Sequence, residues 1–450
     1  MRVVEIEVNG LFDRFDHALR FPDDQRVSIM IAPNGFGKTM ILRMINTLFN
    51  QPIRALIRMP FREFVVRLDD ESTVSARRTH RQDESDDESG RFDLELIFRS
   101  SEGEEQSFRP GPQISEKEMG FPLGVIEEII PQLDQVGRAL WRDRRTGVTL
   151  ELDEVIERYG DELPIDLRPT SKTPGWLQTL RGAIPVRFID TERLTHPLTG
   201  RSRLAPPHRR MPQKAERTVR RYSAELGKLV QQTLSEYGAL SQSLDRTFPA
   251  RLVEEPAKSD FTMEALRNEL AEVEAKRQKL VEAGLLAQDE DAFGAPVPDI
   301  DKVDESRRGV LAVYARDAQR KLGVFDEVLA KVEALKRIAN DRFLHKEISI
   351  GSGGIQVIAS DGRPLDLEML SSGEQHELVL LYDFLFRVSR DSFILVDEPE
   401  LSLHVAWQER FLSDITEMAE LSDFRVLLAT HSPQIIGDHY ELAIELKGPA

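Results

Sequence analysis

Cysteine is absent from all 450 residues. Its absence excludes disulfides, thiolate metal sites and a cysteine nucleophile, and suits a reducing cytoplasm, the location expected here. Long apolar runs are missing too. None approaches the length of a membrane span, so no membrane partner is expected, and the N-terminal MRVVEIEVNG has no signal-peptide apolar core. Positive charge is in short supply: 60 Lys and Arg stand against 78 Asp and Glu, a formal net charge of −18. That balance disfavours non-specific nucleic-acid binding over the whole surface and leaves only a local basic groove open. Apolar residues make up 40% of the chain, ample for a core. The length suits two domains, or one large domain with an insertion.

What is present concentrates near the two ends. Phe393 to Glu398 reads FILVDE: four apolar residues, two carboxylates, then Pro399. A short apolar run stopped by a breaker predicts a strand buried on both faces of a parallel sheet. Carboxylates at its end would sit at the mouth of the sheet, where open α/β folds bind ligands. Ala32 to Thr39 reads APNGFGKT, between an apolar strand pattern at 27–31 and a helical one carrying Ile41, Leu42, Ile45, Leu48 and Phe49. This is the strand–loop–helix setting of a phosphate-binding loop. Gly35 and Gly37 let backbone N–H groups turn toward an anion, and the helix N-terminus adds partial positive charge. Lys38 would reach the β- and γ-phosphates, and the Thr39 hydroxyl would hold Mg²⁺. The loop pattern begins with glycine where this chain has Ala32, a position needing less backbone freedom. Asn34, Gly35, Phe36, Gly37, Lys38, Thr39 and Met40 are the candidate nucleotide-binding residues.

Leu370 to Gln375 reads LSSGEQ. Ser371, Ser372 and Gly373 form a polar helix start able to offer a hydroxyl and N–H groups to a phosphate, although Ser-Ser-Gly-Glu is also an ordinary helix cap. Thr430-His431-Ser432 follows a further apolar run at 425–429. In this order the four stretches resemble the ABC-type ATPases: a Walker A loop, a signature motif, a Walker B strand with its D-loop (FILVDEPELSLH), and a switch histidine. The branch without membrane domains, which includes the SMC, DNA-repair and OLD-like ATPases, is the one resembled most. The likeness covers roughly residues 1–60 and 345–445. Tyr237 to Pro249, YGALSQSLDRTFP, adds a further stretch familiar from bacterial ATPases of this kind.

The resemblance implies an α/β P-loop NTPase, an ABC-type head with a mostly parallel sheet and antiparallel N-terminal strands, interrupted by an α-helical, coiled-coil insertion. Residues 1–199 would form the first lobe, 200–344 the insertion and 345–450 the second lobe. It implies ATP and Mg²⁺ as cofactors, Asp397 as a metal ligand beside Thr39, Glu398 as the carboxylate that polarises water, and His431 on the γ-phosphate. It also implies that Ser371 to Gly373 act in trans, so that two heads pair around ATP, with Glu400 to Leu403 at the seam. The family's Q-loop glutamine has no clear match; Asp190-Thr191-Glu192-Arg193, after a strand at 186–189, is either its equivalent beside the nucleotide or a solvated strand-to-loop turn with an internal ion pair.

Between the ends, QDESDDES at 82–89 reads as an exposed hairpin tip. Residues 100–180 read as mixed, with short helices at 120–133 and 150–159. The segment 200–221 is basic, and nucleic-acid contact through 201–221 is one expectation, a solvated loop the other. Helical spacing then predicts a helix from Val219 stopped by Pro249, a second over 263–283 closed by Gly284, and a third over 310–343. At about 1.5 Å per residue the second is roughly 30 Å long, a compact lever and not a chromosome-scale arm. A hairpin is expected around Gly351 to Gly354. The chain's end at Ala450 leaves no nuclease domain expected after the second lobe.

These readings predict an ATP hydrolase that pairs with itself as a dimer or higher oligomer and serves DNA repair or anti-phage defence through a separate effector protein such as a nuclease. The competing expectation is an ATP-gated scaffold whose hydrolysis is slow. A transporter ATPase is disfavoured by the size of the helical insertion.

Overall fold

A computed structural model describes the chain except residues 81–91, 111–124, 131, 138–139, 145–148, 153–154, 156–158, 160–172, 191–213, 255–261, 288–307, 402–404 and 449–450. Its contacts divide into two units. One holds Met1–Thr191, Ser389–Leu401 and Asp423–Ala450; the other holds Glu192–Val388 and Ser402–Ser422.

The first unit contains two principal sheets. Strands β1 (Val3–Leu11), β2 (Phe15–Arg20), β4 (Glu63–Leu68), β5 (Thr73–His80), β6 (Phe92–Arg99) and β7 (Glu105–Phe108) form an antiparallel sheet in the order β2-β1-β4-β5-β6-β7. Inward-facing Ile6, Val8, Phe64 and Val66 are buried, while the intervening positions of β1 and its neighbours carry cross-strand pairs such as Arg67 with Glu5 and Arg77 with Glu63. Alternation of this kind is what a sheet with one wet face requires. The second sheet is all parallel, ordered β11 (Val186–Asp190), β15 (Phe393–Asp397), β16 (Arg425–Thr430), β3 (Val27–Ile31), β17 (Ala443–Glu445). Helix α1 (Lys38–Asn50) supplies Ile41, Leu42, Ile45, Leu48 and Phe49 to a core shared with residues of both sheets. This is the mixed α/β P-loop fold that the sequence predicts.

The 100–180 region differs from its expectation. Besides α2 (Val125–Ile129) and α3 (Gly175–Ala183) it forms a small antiparallel sheet, β8 (Leu133–Gly137), β9 (Leu140–Asp143) and β10 (Thr149–Glu151). Fully buried Trp141 anchors its own core with Ile126, Ile130, Leu133 and Val155. Its strands are only three to five residues long, too short for period-two alternation to declare itself.

The second unit is mostly helical: α4 (Lys214–Glu254), α5 (Met263–Ala283), α6 (Arg308–Gly323), α7 (Asp326–Arg342), α8 (Ser372–Tyr382) and α9 (Val405–Ser422), with a hairpin of β12 (Lys346–Gly351) and β13 (Gly354–Ala359) extended by β14 (Pro364–Leu365). Helix α5 has the predicted bounds. Thr262 accepts from Ala265 N at its start, and Gly284 adopts φ +79° at its end. Two expectations fail. Pro249 does not end α4, which continues to Glu254; Arg251, just past the proline, is held by Asp317 of α6 at 2.8 Å, so packing keeps the chain helical beyond it. The helix expected over 310–343 is two helices, parted at Val324–Phe325. Fully buried Phe325 makes that break a packed corner.

Two charged segments contribute little that can be described. The acidic stretch 82–89 and residues 201–213 lie outside the described residues. Within the remainder of the basic segment, Arg220 pairs with Asp366 and Glu368, and Arg221 lies 3.6 Å from Glu225.

Candidate nucleotide site at the mouth of the parallel sheet

Adjacent parallel strands bring distant residues to one edge. In register, Asp397 of β15 lies beside Ala429 of β16, and Thr430 of β16 lies beside Ile31 of β3. The C-terminal ends of three neighbouring strands therefore carry Asp397-Glu398, Thr430-His431 and the loop 32–37. Parallel strands expose all their carboxyl ends on one side, which is why ligand crevices form there.

The loop is built as a cradle. Gly35 and Gly37 have φ of +87° and +94°. A Cβ at Gly37 would meet Leu11 Cδ2 at 2.3 Å, so both backbone sign and space require glycine. Ala32 has no positive φ, which explains why glycine is dispensable there. Its carbonyl accepts from Lys38 Nζ at 2.8 Å, folding the lysine, 5% exposed, back along the loop. The Thr39 hydroxyl donates to Asp397 Oδ1 at 3.2 Å. A hydroxyl and a carboxylate meeting next to the glycine loop form a hard-oxygen donor set, the kind Mg²⁺ takes beside phosphates. These residues thus fit a magnesium nucleotide.

Glu398 stands in the left-handed region at φ +44°, a conformation that costs a non-glycine residue roughly 1–3 kcal/mol. Its N–H donates to the Ala429 carbonyl at 2.8 Å and holds it there. Its carboxylate lies 3.6 Å from His431 Nδ1. Glu400 reaches the same strand end: its Oε1 accepts from Thr430 Oγ1 at 2.8 Å and from His431 N at 3.0 Å, and lies 3.1 Å from His431 Nδ1.

The family described as "AAA domain, putative AbiEii toxin, Type IV TA system" matches residues 29–437. The chain belongs to it. No curated protein matches this AAA-family chain in sequence. Among solved structures it is similar to the SMC head domain from Thermotoga maritima, at 13% identity and a TM-score of 0.32, over 98% of this chain and 92% of that one. It is also similar to an Smc head domain with an extended coiled coil from Pyrococcus furiosus, solved bound to the C-terminal domain of ScpA, at 13% identity and a TM-score of 0.31, over 97% and 91% of the two chains.

The AAA-family site thus brings together Asn34 to Met40, Asp397, Glu398 and His431 in the first unit. Ser371, Ser372 and Gly373 belong to the second. There Ser371 is the N-cap of α8: its Oγ accepts from Glu374 N at 3.3 Å, and its N–H donates to Glu374 Oε2 at 2.7 Å. Lys346 Nζ holds the same Glu374 carboxylate at 2.7 and 2.8 Å, keeping it below the usual glutamate range against the opposing effect of burial. Of DTER, Asp190 ends β11 in register with Asp397, and 191–193 lie outside the described residues, as do Ser402 and Leu403 of the D-loop.

Sequence reasoning missed His17. It lies on the inward face of β2 between Phe15 and Leu19, and its Nε2 donates to the Phe36 carbonyl at 3.0 Å inside the loop. Phe15 stacks on His17, with ring centroids 5.6 Å apart, and packs tilted against Phe36 at 5.1 Å. The alternation Phe15-His17-Leu19 was the available signal. Glu400 was expected at a seam between subunits; within its own chain it ties the segment after β15 to the end of β16.

Proposed function

We propose that this protein is a Mg²⁺-dependent ATP hydrolase whose heads pair around ATP, and that pairing drives a conformational change passed to a separately encoded effector in DNA repair or anti-phage defence. Residues 200–344 are read as an insertion between lobes 1–199 and 345–450. The observation that carries the reading is the convergence of Thr39, Asp397, Glu398 and His431 on the cradle of Gly35 to Lys38.

Lys38 and the loop N–H groups would bind the phosphates. Thr39 and Asp397 would hold Mg²⁺, which supplies charge neutralisation on the phosphate oxygens. Glu398, displaced from the strand direction by its left-handed backbone, would orient a water and take its proton. His431 would donate to the terminal phosphate, and Glu400 would keep its ring in place. Ser371 to Gly373 would complete the site of a second copy, with the α8 cap and Lys346 fixing their approach. The family description, which names a toxin–antitoxin system, supports a defence setting with a separate partner.

Steady-state ATP hydrolysis, with and without duplex DNA and with Glu398→Gln as the blank, tests this. Turnover that rises with DNA and vanishes in the variant supports a nucleic-acid-responsive switch. Reversing the charges of Arg201 to Arg210 should then lower the salt-sensitive part of DNA affinity. Slow turnover indifferent to DNA would favour an ATP-gated scaffold, and no turnover at all would overturn the proposal.

A further inference from the structure

The peptide that leads into helix α1 joins Phe36 to Gly37. Gly37 is the N-cap of α1, and its own carbonyl accepts from Ile41 N at 2.9 Å. The helix therefore holds the peptide after Gly37, and its hydrogen bonds do not reach the one before it. Gly37 has φ +94°, and glycine takes either sign of φ at little cost. A peptide joined to it can turn over unless another group pins it.

That group is His17. Its Nε2 lies 3.0 Å from the Phe36 carbonyl, and a carbonyl only accepts, so Nε2 is the donor. The Phe36–Gly37 bond is trans. A trans peptide is planar, with its C=O and N–H on opposite sides. Fixing the Phe36 carbonyl on His17 thus turns the Gly37 N–H away from the buried ring.

The ring is poorly suited to filling space alone. His17 is 4% exposed and lies on the inward face of β2 between Phe15 and Leu19. Its Nδ1 is buried with no hydrogen-bond partner among the described residues. An unmet polar atom in apolar surroundings carries a cost that Leu or Phe would avoid. The bond from Nε2 is what histidine supplies at this position and an apolar residue cannot. Phe15 touches the rings of both His17 and Phe36, so donor and acceptor are braced by one side chain.

We propose that His17 is a positioning residue for phosphate binding: it pins the Phe36 carbonyl and so directs the Gly37 N–H toward an anion seated in the loop. The inference rests on the nucleotide reading given above. His17 itself touches no phosphate; it acts through one peptide plane. Without it that plane is free to turn, which replaces a donor facing the anion by an acceptor.

The two parts of the side chain can be tested separately. His17→Phe keeps a ring against Phe15 and removes the donor. His17→Gln keeps a donor near the place of Nε2 and removes the ring. Titration calorimetry of the full chain with MgATP, at a temperature where circular dichroism shows each variant folded, reads the outcome. His17→Phe should bind roughly tenfold or more weakly than wild type, the worth of one hydrogen bond to a charged group. His17→Gln should bind within about threefold of wild type. A role confined to packing requires the reverse order, since only the Phe variant keeps the stack. Should His17→Phe not fold, His17→Leu removes the donor equally. A donor-free variant that binds as tightly as wild type, or His17→Gln binding no better than that variant, would overturn the inference and leave the nucleotide reading standing. Wild type that binds no MgATP would overturn both.

Discussion

His17 Nε2 donates to the Phe36 carbonyl at 3.0 Å, tying an edge strand of the antiparallel sheet to the phosphate loop of the parallel one. A carbonyl only accepts, so Nε2 carries the proton; Nδ1 is buried and makes no hydrogen bond. Burial is the largest influence on the ring and holds its pKa below the ordinary value, against the raising effects of the Phe36 bond and Asp16. The neutral form is therefore the one that packs. Because the folded pKa is depressed, this contribution to stability is complete above about pH 6.5 and is lost as pH falls from there through the folded value. Urea melts of wild type and His17→Phe across pH 5 to 8 should show a wild-type advantage of about 1–3 kcal/mol near neutrality, shrinking on acidification. An advantage that does not vary with pH would refute the role of ring protonation.

Lys38→Ala removes the ammonium folded over the loop. Loss of a charge-assisted contact to phosphate is worth about 1.5–3 kcal/mol, so affinity for MgATP should fall by roughly ten- to a hundredfold. Titration calorimetry reads this directly. Affinity within a factor of two of wild type would remove Lys38 from the site.

Glu398→Gln keeps the size of the side chain and removes its capacity to take a proton. Turnover should fall by about 10²–10⁴ while MgATP still binds. Light scattering of this variant with MgATP should show a higher mass than without it, as closed pairs accumulate. Unchanged mass would count against the action of Ser371 to Gly373 on a second copy.

Arg342 is the hub of a buried cluster in the second unit, pairing with Glu377 of α8 and Asp414 of α9. Arg342 and Glu377 side chains are 6% and 1% exposed. Burial dominates the arginine and lowers its pKa, and it likewise raises that of Asp414. Arg342→Met leaves two buried carboxylates without their cation and should cost about 3–5 kcal/mol in urea melts. Replacing all three members by apolar residues should recover most of that loss, since the pairing repays little more than its own desolvation. Failure of the triple variant to recover would mean the cluster does more than neutralise itself.

The phosphate loop was legible because its chemistry is local. An apolar strand, two glycines needing positive φ, and Lys-Thr opening a helix lie within a dozen residues, and each constrains the backbone by itself. Helix α5 was legible for the same reason: Thr262 caps one end, Gly284 the other, and Leu266, Leu270 and Leu280 set the stripe. Pro249 misled because a local rule was overridden from a distance: Arg251, just past the proline, is held by Asp317 of α6. The break at Val324–Phe325 was hidden because apolar spacing runs on through it.

By itself, then, the sequence determined the class of fold, the glycine loop that opens α1 and the acidic strand end, all properties written in neighbouring residues and in the periods of helix and strand. Only tertiary structure decided which distant residues meet. Thr39 and Asp397 lie 358 positions apart, and their contact depends on the parallel order β15-β16-β3, which no local pattern encodes. Glu400 on His431 and His17 under the loop arise the same way, from packing that pairs residues by space and not by sequence.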